Sequence, residues 1–117
     1  SFHAFYGSLR RGMRLHKQFK NSLHYSHNTW LKGYDLYALG SYPCAVKSPD
    51  PTHKILVEVM WFSDAEAETD IHKIEMEAGY HAEKIQIGND LVTIFLFEEA
   101  ANNLRIDSGD WVIFFGQ

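Results

Sequence analysis

The sequence predicts one α+β domain over residues 1–117, with a small, barrel-like mixed β-sheet of about six strands and two short helices. A length of 117 residues is ordinary for a single domain. Hydrophobic residues make up 45% of the chain, which is typical of a folded protein and too high for a disordered one. Short strand-like segments outnumber the helical segments that interrupt them, and this order favours the α+β class.

The first predicted elements are a strand, a turn and a helix. Residues Phe2–Tyr6 are short and rich in aromatic side chains, as expected for a strand. The Gly7-Ser8 pair that follows favours a turn. From Gly12 to Leu23, apolar residues recur every four positions, which predicts a short amphipathic helix.

The middle of the chain contains two predicted strands and the loop between them. Trp30–Leu39 alternates between two faces and ends at the turn-forming residues Gly40–Pro43, so it is predicted to be a strand. Lys47–Pro51 has the composition of a loop. Ile55–Phe62 is apolar on both faces apart from Glu58, which predicts a strand buried inside the sheet or barrel wall.

The second helix has recognisable signals at both ends. Ser63 is followed three residues later by Glu66, a capping-box pattern that starts a helix. The helix is predicted over Ala67–Ala78, and Gly79 is a natural stop. At about 100° per residue, four apolar residues share its buried face: Ala67, Ile71, Ile74 and Ala78.

Three further strands are predicted toward the C-terminus, over Ala82–Ile87, Leu91–Phe97 and Trp111–Phe115. Turn-forming residues at Asn89-Asp90 and Asp107–Asp110 precede the last two. Several aromatic residues in the predicted strands are expected in the core: Trp61, Phe95, Phe97, Trp111 and Phe114.

Charge and composition exclude several functional classes. A formal net charge of -4 leaves no basic face for nucleic acid. No apolar run approaches the roughly 20 residues that span a bilayer, and the first residues lack the pattern of a signal peptide. Cys44 is the only cysteine, which favours a reducing compartment. A cytoplasmic protein is therefore expected, although the missing initiator Met leaves a removed leader open.

Three common kinds of reactive site receive little support from the sequence. His24 and His27 have a spacing that suits two metal ligands on one helical face, but no nearby Cys, Asp or Glu completes the set. Cys44 has no partner in a recognisable pattern. Ser8 lies outside a Gly-x-Ser-x-Gly motif, the usual signal of a serine hydrolase. No metal site is predicted.

Glu75 is the strongest candidate for chemistry in the second helix. It lies at the margin of the apolar face, four residues after Ile71, whereas Glu66, Glu68 and Asp70 are expected in solvent. A marginal glutamate either extends into water or is partly desolvated, with a raised pKa that suits a general acid/base. Periodicity alone leaves both interpretations open.

The segment Tyr6–Gly12 (Tyr-Gly-Ser-Leu-Arg-Arg-Gly) is the second candidate. A glycine between a strand and a helix turns backbone N–H groups toward an anion and admits a carboxylate closely. The same sequence also suits an ordinary tight turn. It has neither the dinucleotide-binding glycine pattern nor a Walker lysine.

Several motifs in register resemble the gamma-glutamylcyclotransferase-like superfamily. The Tyr6–Gly12 segment resembles its Tyr-Gly-Ser/Thr-Leu-x-x-Gly loop, and Gly40–Val46 is similar to its Gly-x-Tyr-Pro-Ala turn. Ile71–Tyr80 looks like its Leu/Ile-Asp-x-x-Glu segment with a later Tyr, although His72 stands where many members have Asp. Ser108–Trp111 matches its Ser-Gly-Asp-Trp ending.

The resemblance implies the fold, the reaction and the site residues. It implies a small barrel-like α+β fold and a gamma-glutamyl cyclotransferase that releases 5-oxoproline and a free amine or amino acid from a small gamma-glutamyl substrate. Glu75 matches the catalytic glutamate, and the substrate-binding positions are Tyr6, Gly7, Ser8, Leu9 and Tyr80. No metal or organic cofactor is expected, because the nucleophile is the substrate's own α-amine.

Two alternatives to an enzyme remain at this stage. One is a non-catalytic module of the same fold that binds a carboxylate-bearing metabolite in the same pocket. The other is a structural dimer formed through surplus aromatic surface, since the chain has 8 Phe, 6 Tyr and 3 Trp; monomer and homodimer both stay open. The enzyme hypothesis predicts that Glu75 faces a pocket lined by Tyr6, Ser8 and Tyr80, and that Glu77 points away from it.

Overall fold

The computed structural model describes residues 1–100 and 102–116 and has an α+β architecture. The elements in this part of the chain are β1 (Phe2–Phe5), α1 (Arg14–Phe19), β2 (Leu23–Lys32), β3 (Tyr34–Ala38), β4 (Pro43–Lys47), β5 (Lys54–Phe62), α2 (Ala65–Glu77), β6 (His81–Ile87), β7 (Asp90–Leu96), β8 (Leu104–Arg105) and α3 (Trp111–Phe115).

The strands form two sheets. The larger has the order β2-β5-β1-β7-β6, and the smaller has the order β4-β3-β8. The larger sheet is mixed, because β1 pairs parallel to β7 while its other pairs are antiparallel. A hydrogen bond of 3.0 Å from Phe97 N to Ala45 O joins the chain just after β7 to β4, so the two sheets are held together.

The core lies around the three central strands of the larger sheet. Ala4 on β1, Val57 and Val59 on β5 and Ile94 on β7 are almost fully buried. The prediction of a buried strand at Ile55–Phe62 is confirmed by β5, except that Trp61 is 41% exposed and does not belong to the core.

The predicted helix and strand between Gly12 and Leu39 are only partly correct. The helix ends at Phe19, and Leu23 instead begins β2. The predicted strand Trp30–Leu39 is the end of β2 and all of β3, separated by a turn at Gly33. The alternation of residues continues across Gly33, but the two strands on either side have different partners. Strand β2 pairs with β5, whereas β3 pairs with β4 and β8.

The C-terminal strand predicted at Trp111–Phe115 is wrong, because these residues form α3. The Asp110 carboxylate accepts hydrogen bonds from Val112 N and Ile113 N, so it caps the helix and satisfies two of its free N–H groups. Strands β4 and β8 were not predicted. The described residues therefore contain eight strands and three helices instead of about six and two.

Helix α2 agrees closely with its prediction. Its N-cap is Asp64, whose carboxylate accepts from Ala67 N, one residue after the predicted Ser63. The helix ends at Glu77, and Gly79 follows with φ 101°, a conformation that glycine adopts without the steric cost of a side chain. Among the residues that the structure describes, no helix is long and apolar enough to cross a membrane.

Candidate active site

The loop after β1, at one end of the larger sheet, contains backbone N–H groups that have no backbone acceptor within the described residues. The turn is closed by hydrogen bonds of 3.0 Å from Arg10 N to Gly7 O and from His16 N to Ser8 O. No backbone carbonyl in the described part of the chain accepts from the N–H groups of Gly7, Ser8 or Leu9. These donors are available to an anion or to a carbonyl oxygen.

Gly7 permits a close approach between this loop and the start of β4. A Cβ atom at Gly7 would lie 2.7 Å from Pro43 Cγ and 3.0 Å from Pro43 Cδ, which is too close for any other residue without movement. The glycine is therefore required by packing against Pro43, which itself lines the site.

The two predicted tyrosines are fixed by hydrogen bonds to the backbone. The Tyr6 hydroxyl donates to Phe95 O at 2.6 Å and accepts from Ala45 N at 3.1 Å. The Tyr80 hydroxyl donates to Pro43 O. Burial raises the pKa of both hydroxyls above the ordinary value of 10.0, so both remain neutral. The hydroxyls hold β7 and β4 in place, and the rings contribute to the site wall.

Glu75 lies on α2 and faces the same space. Its side chain is mostly withdrawn from solvent, and burial raises the pKa of its carboxyl from 4.5 to about 7. No hydrogen bond to this carboxyl group is found within residues 1–100 and 102–116, so nothing offsets the cost of desolvating the charge. Glu75 is thus present in both protonation states near neutral pH, as a general acid/base requires.

These residues line one cavity of about 540 Å³, a size suited to a small molecule. It brings together all six predicted site residues: Tyr6, Gly7, Ser8, Leu9, Glu75 and Tyr80. The exposed Glu77 is not part of the lining. Tyr42 also lines the cavity, whereas Tyr34, Tyr37 and Trp61 do not.

Several lining residues were missed by sequence reasoning. Ile74 and Ala78 were expected in the core, but they are exposed toward this cavity. Trp111 and Phe115 reach it because the last segment is a helix and not a strand. Arg14, at the start of α1, adds a positive charge to the lining. The sequence signal that could have indicated Arg14 was its position two residues after Gly12, the last residue of the loop motif.

A buried ion network supports the loop from behind. The Arg10 guanidinium donates to Glu58 Oε2 at 3.0 Å and to Asp110 Oδ1 at 2.7 Å. The three side chains are 5%, 4% and 9% exposed, respectively. Arg11 donates to Glu58 Oε1 from its backbone N at 2.9 Å and from Nε at 3.1 Å. Arg10 therefore connects the loop to β5 and to the cap of α3.

Neither Cys44 nor the pair His24 and His27 is suited to a reactive or metal-binding role. Cys44 is fully buried, and burial raises the pKa of its thiol from 9.0 to about 11, which keeps it protonated and unreactive. His24 and His27 lie on β2 and not on a helix, so the helical spacing considered for a metal site does not apply.

An α+β fold with this cavity, a glycine-containing loop and one desolvated glutamate is a candidate site for a small molecule. The sequence matches the family described as "Gamma-glutamyl cyclotransferase, AIG2-like" over residues 3–113. The chain belongs to this family. A comparison with curated proteins finds no significant match.

Solved structures support the same fold. The uncharacterized protein PH0828 from Pyrococcus horikoshii is 30% identical with a TM-score of 0.81, over 97% of this chain and 91% of that one. Protein ytfP from Escherichia coli is 23% identical with a TM-score of 0.74, over 96% of each chain. Protein c4763, specific to uropathogenic E. coli, is 18% identical with a TM-score of 0.83, over 100% and 96%.

The raised pKa of Glu75 predicts a pH-dependent stability difference. The folded state binds this proton more tightly than the unfolded chain, so the stabilisation is fully present below pH 4.5 and is lost as pH rises through about 7. A Gln at this position does not titrate. Between about pH 5 and pH 8, the unfolding free energy of Glu75→Gln should therefore rise by about 2–3 kcal/mol relative to the wild type. Urea unfolding at both pH values measures this difference.

Glu77→Gln is the matched control for that measurement, because Glu77 lies on the same helix and is exposed. Its stability difference from the wild type should stay constant over the same pH range. If Glu75→Gln also gives a constant difference, Glu75 is not desolvated in the folded protein.

Proposed function

We propose that the protein is a cytoplasmic gamma-glutamyl cyclotransferase in which Glu75 acts as general acid and general base. Membership of the family described as gamma-glutamyl cyclotransferase supports this reaction class. The observation that carries the proposal is the single carboxyl group with a pKa of about 7 beside unpaired loop N–H groups in one cavity. The reaction needs one group that takes up and returns a proton, and this cavity supplies one.

The proposed reaction begins at the α-ammonium group of the substrate. The Glu75 carboxylate removes a proton, and the free amine attacks the γ-carbonyl carbon to form a five-membered ring. The carbonyl oxygen becomes an oxyanion, and in this proposal the N–H groups of the Gly7–Leu9 loop stabilise it. Protonated Glu75 then gives its proton to the leaving nitrogen as the C–N bond breaks.

The protons in this reaction balance without a cofactor. The ring nitrogen gives up two protons in all, and the leaving amine gains two, so the products are 5-oxoproline and a protonated amine. Glu75 returns to its ionised form after each cycle. A base with a pKa near the working pH performs both transfers with little energetic penalty.

The cavity also fits the polar end of a glutamyl group. Its α-carboxylate needs positive charge or N–H donors, which are offered by Arg14 and by the loop. The walls are mainly apolar or aromatic, including Phe5, Tyr42 and Phe115. A cavity of this kind holds the flexible chain in a folded shape and lowers the entropic cost of ring closure.

The test is release of 5-oxoproline from a set of gamma-glutamyl amines, amino acids and peptides. The matching α-glutamyl isomers are controls, since their scissile bond is not at the γ-carbonyl. We expect turnover of at least one gamma-glutamyl compound, with kcat/KM falling about tenfold per pH unit below the Glu75 pKa of about 7, because protonated Glu75 cannot accept the ammonium proton.

The same set of compounds separates the enzyme from the binding-module alternative. Saturable binding of gamma-glutamyl compounds with no 5-oxoproline at any pH would support a non-catalytic carboxylate-binding protein. Activity with no loss below pH 7 would rule out Glu75 as the base. The identity of the best leaving amine is a further result of the screen.

A further inference from the structure

A second cluster of polar side chains lies outside the cavity, between β1 and α2. His3, Glu68 and His72 each offer a ligand atom, and these atoms all lie within 4.8 Å of one another. His3 is completely buried, and Glu68 and His72 are half-buried. None of the three lines the cavity, so the proposed reaction gives this cluster no role.

The fold explains how these residues meet. Glu68 and His72 are four residues apart on α2, which puts both on the same face of the helix. His3 lies on β1 and reaches them across the interface between sheet and helix. The Nε2 atoms of His3 and His72 are 2.8 Å apart. Glu68, expected in solvent from the helical pattern, is drawn into this interface.

The donor set has the chemistry of a divalent transition-metal site. Two imidazole nitrogens and one carboxylate oxygen, with a fourth position for water, are a well-known zinc ligand combination.

Ligand atoms that now lie within 4.8 Å of one another must come to roughly 3.3 Å around a tetrahedral ion, a closure of at most about 1.5 Å. Two nitrogen ligands at about 2.0–2.1 Å from a tetrahedral ion are roughly 3.3 Å apart, about half an ångström more than the present Nε2–Nε2 distance. His3 is held by packing against Phe62 at 4.9 Å and Phe5 at 5.6 Å between ring centroids. His72 and Glu68 are only half-buried, so packing constrains them less than it constrains His3.

We propose that His3, Glu68 and His72 bind one divalent transition-metal ion of the zinc class, which fastens α2 to β1. The ion would lie beside the cavity and not in it, so it is compatible with a reaction that needs no cofactor. Its effect would reach the proposed site through two direct connections. His72 is one helical turn before Glu75, and Phe95, which lines the cavity, contacts both imidazole rings.

The experiment uses untagged full-length protein, freed of metal with a chelator and titrated with ZnCl₂ by calorimetry. We expect one high-affinity equivalent, and Tm should rise by at least about 4 °C when free Zn²⁺ is far above Kd. Co²⁺ is a second probe, because its visible absorption is much stronger in tetrahedral than in octahedral coordination. Neither readout depends on catalytic activity.

Two variants remove ligands without touching the buried His3. Glu68→Gln and His72→Asn should each weaken Zn²⁺ binding by more than tenfold, since even indirect supporting groups are worth 10–100-fold at metal sites. Glu66→Gln on the same helix and His27→Asn on β2 are the matched controls, as both residues are exposed. Circular dichroism checks that each variant is folded.

The outcomes decide the proposal. One strong equivalent that is lost in Glu68→Gln and kept in both controls supports the site. Absence of saturable binding by the wild type overturns it. It is also overturned if Zn²⁺ binds equally to Glu68→Gln and the wild type, because the ion would then occupy other histidines. Since Glu68→Gln decides this alone, a folding defect in His72→Asn does not weaken the test.

Discussion

Glu75→Gln is expected to lower kcat/KM for 5-oxoproline formation by at least about 1,000-fold. General acid–base catalysis contributes about 10²–10⁴-fold, and here one residue is proposed for both proton transfers. The amide keeps the size of the side chain but neither accepts nor donates a proton in this pH range. Steady-state kinetics with the best gamma-glutamyl substrate measures the loss, and a substrate-binding assay separates it from a loss of affinity.

Glu77→Gln is the control for this experiment as well. Glu77 is two residues away on α2 and exposed outside the cavity, so its removal should leave kcat/KM within about twofold. The proposed mechanism fails if Glu75→Gln keeps full activity. It also fails if the two variants lose activity equally, since the effect would then come from the charge of α2 and not from a proton carrier.

Arg10→Met is expected to lower the free energy of unfolding by about 3–5 kcal/mol. Arg10 is the shared partner of Glu58 and Asp110, and all three side chains are at least nine-tenths buried. Removing the Arg10 guanidinium leaves the buried carboxylates of Glu58 and Asp110 without this partner. The cost of desolvating their charges is then no longer offset by Arg10. The aliphatic part of Met keeps most of the packing, so the measured change reports chiefly on the lost charge.

Arg11→Met is the matched control, because Arg11 also pairs with Glu58 through its side chain but is 48% exposed. Water reaches the Arg11 guanidinium and screens its charge, so the loss of this pair should cost about 0–1 kcal/mol although Glu58 is buried. The backbone hydrogen bond from Arg11 N to Glu58 is kept in the variant. Chemical denaturation of both proteins gives the comparison. If Arg10→Met costs no more than Arg11→Met, the buried network does not stabilise the fold.

Local patterns predicted the elements whose ends and faces are determined by neighbouring residues. The buried strand at β5 and the helix α2 were correctly located, because continuous apolar composition and a 3.6-residue period are properties of the segment itself. The break after β3 was also correct at Gly40–Tyr42, whereas Pro43 already begins β4. The C-terminal segment failed because Trp111–Phe115 is apolar throughout and short, so strand and helix are not separated by periodicity. The Asp110 side chain caps this segment and so favours a helix over a strand.

The residues of the site also fall into those that the sequence indicated and those that it did not. Motif resemblance selected Glu75, Tyr6–Leu9 and Tyr80, and the structure brings all of them to one cavity. Arg10 was named only as part of a loop motif, since nothing in its sequence neighbourhood indicates that Glu58 and Asp110 lie beside it. The cluster of His3, Glu68 and His72 was missed for a similar reason. His3 lies 69 positions before His72 in the sequence, so no short-range pattern links them.

The sequence by itself determined the α+β class, the family resemblance and the residues proposed for the reaction. Each of these rests on residue types and short-range spacing. Only the tertiary structure decided which strand pairs with which, that the last segment is a helix, and how Arg10 is neutralised. It also decided the pKa of Glu75. Periodicity placed that residue at the margin of a helix face, but desolvation depends on the residues that other elements bring around the carboxyl group.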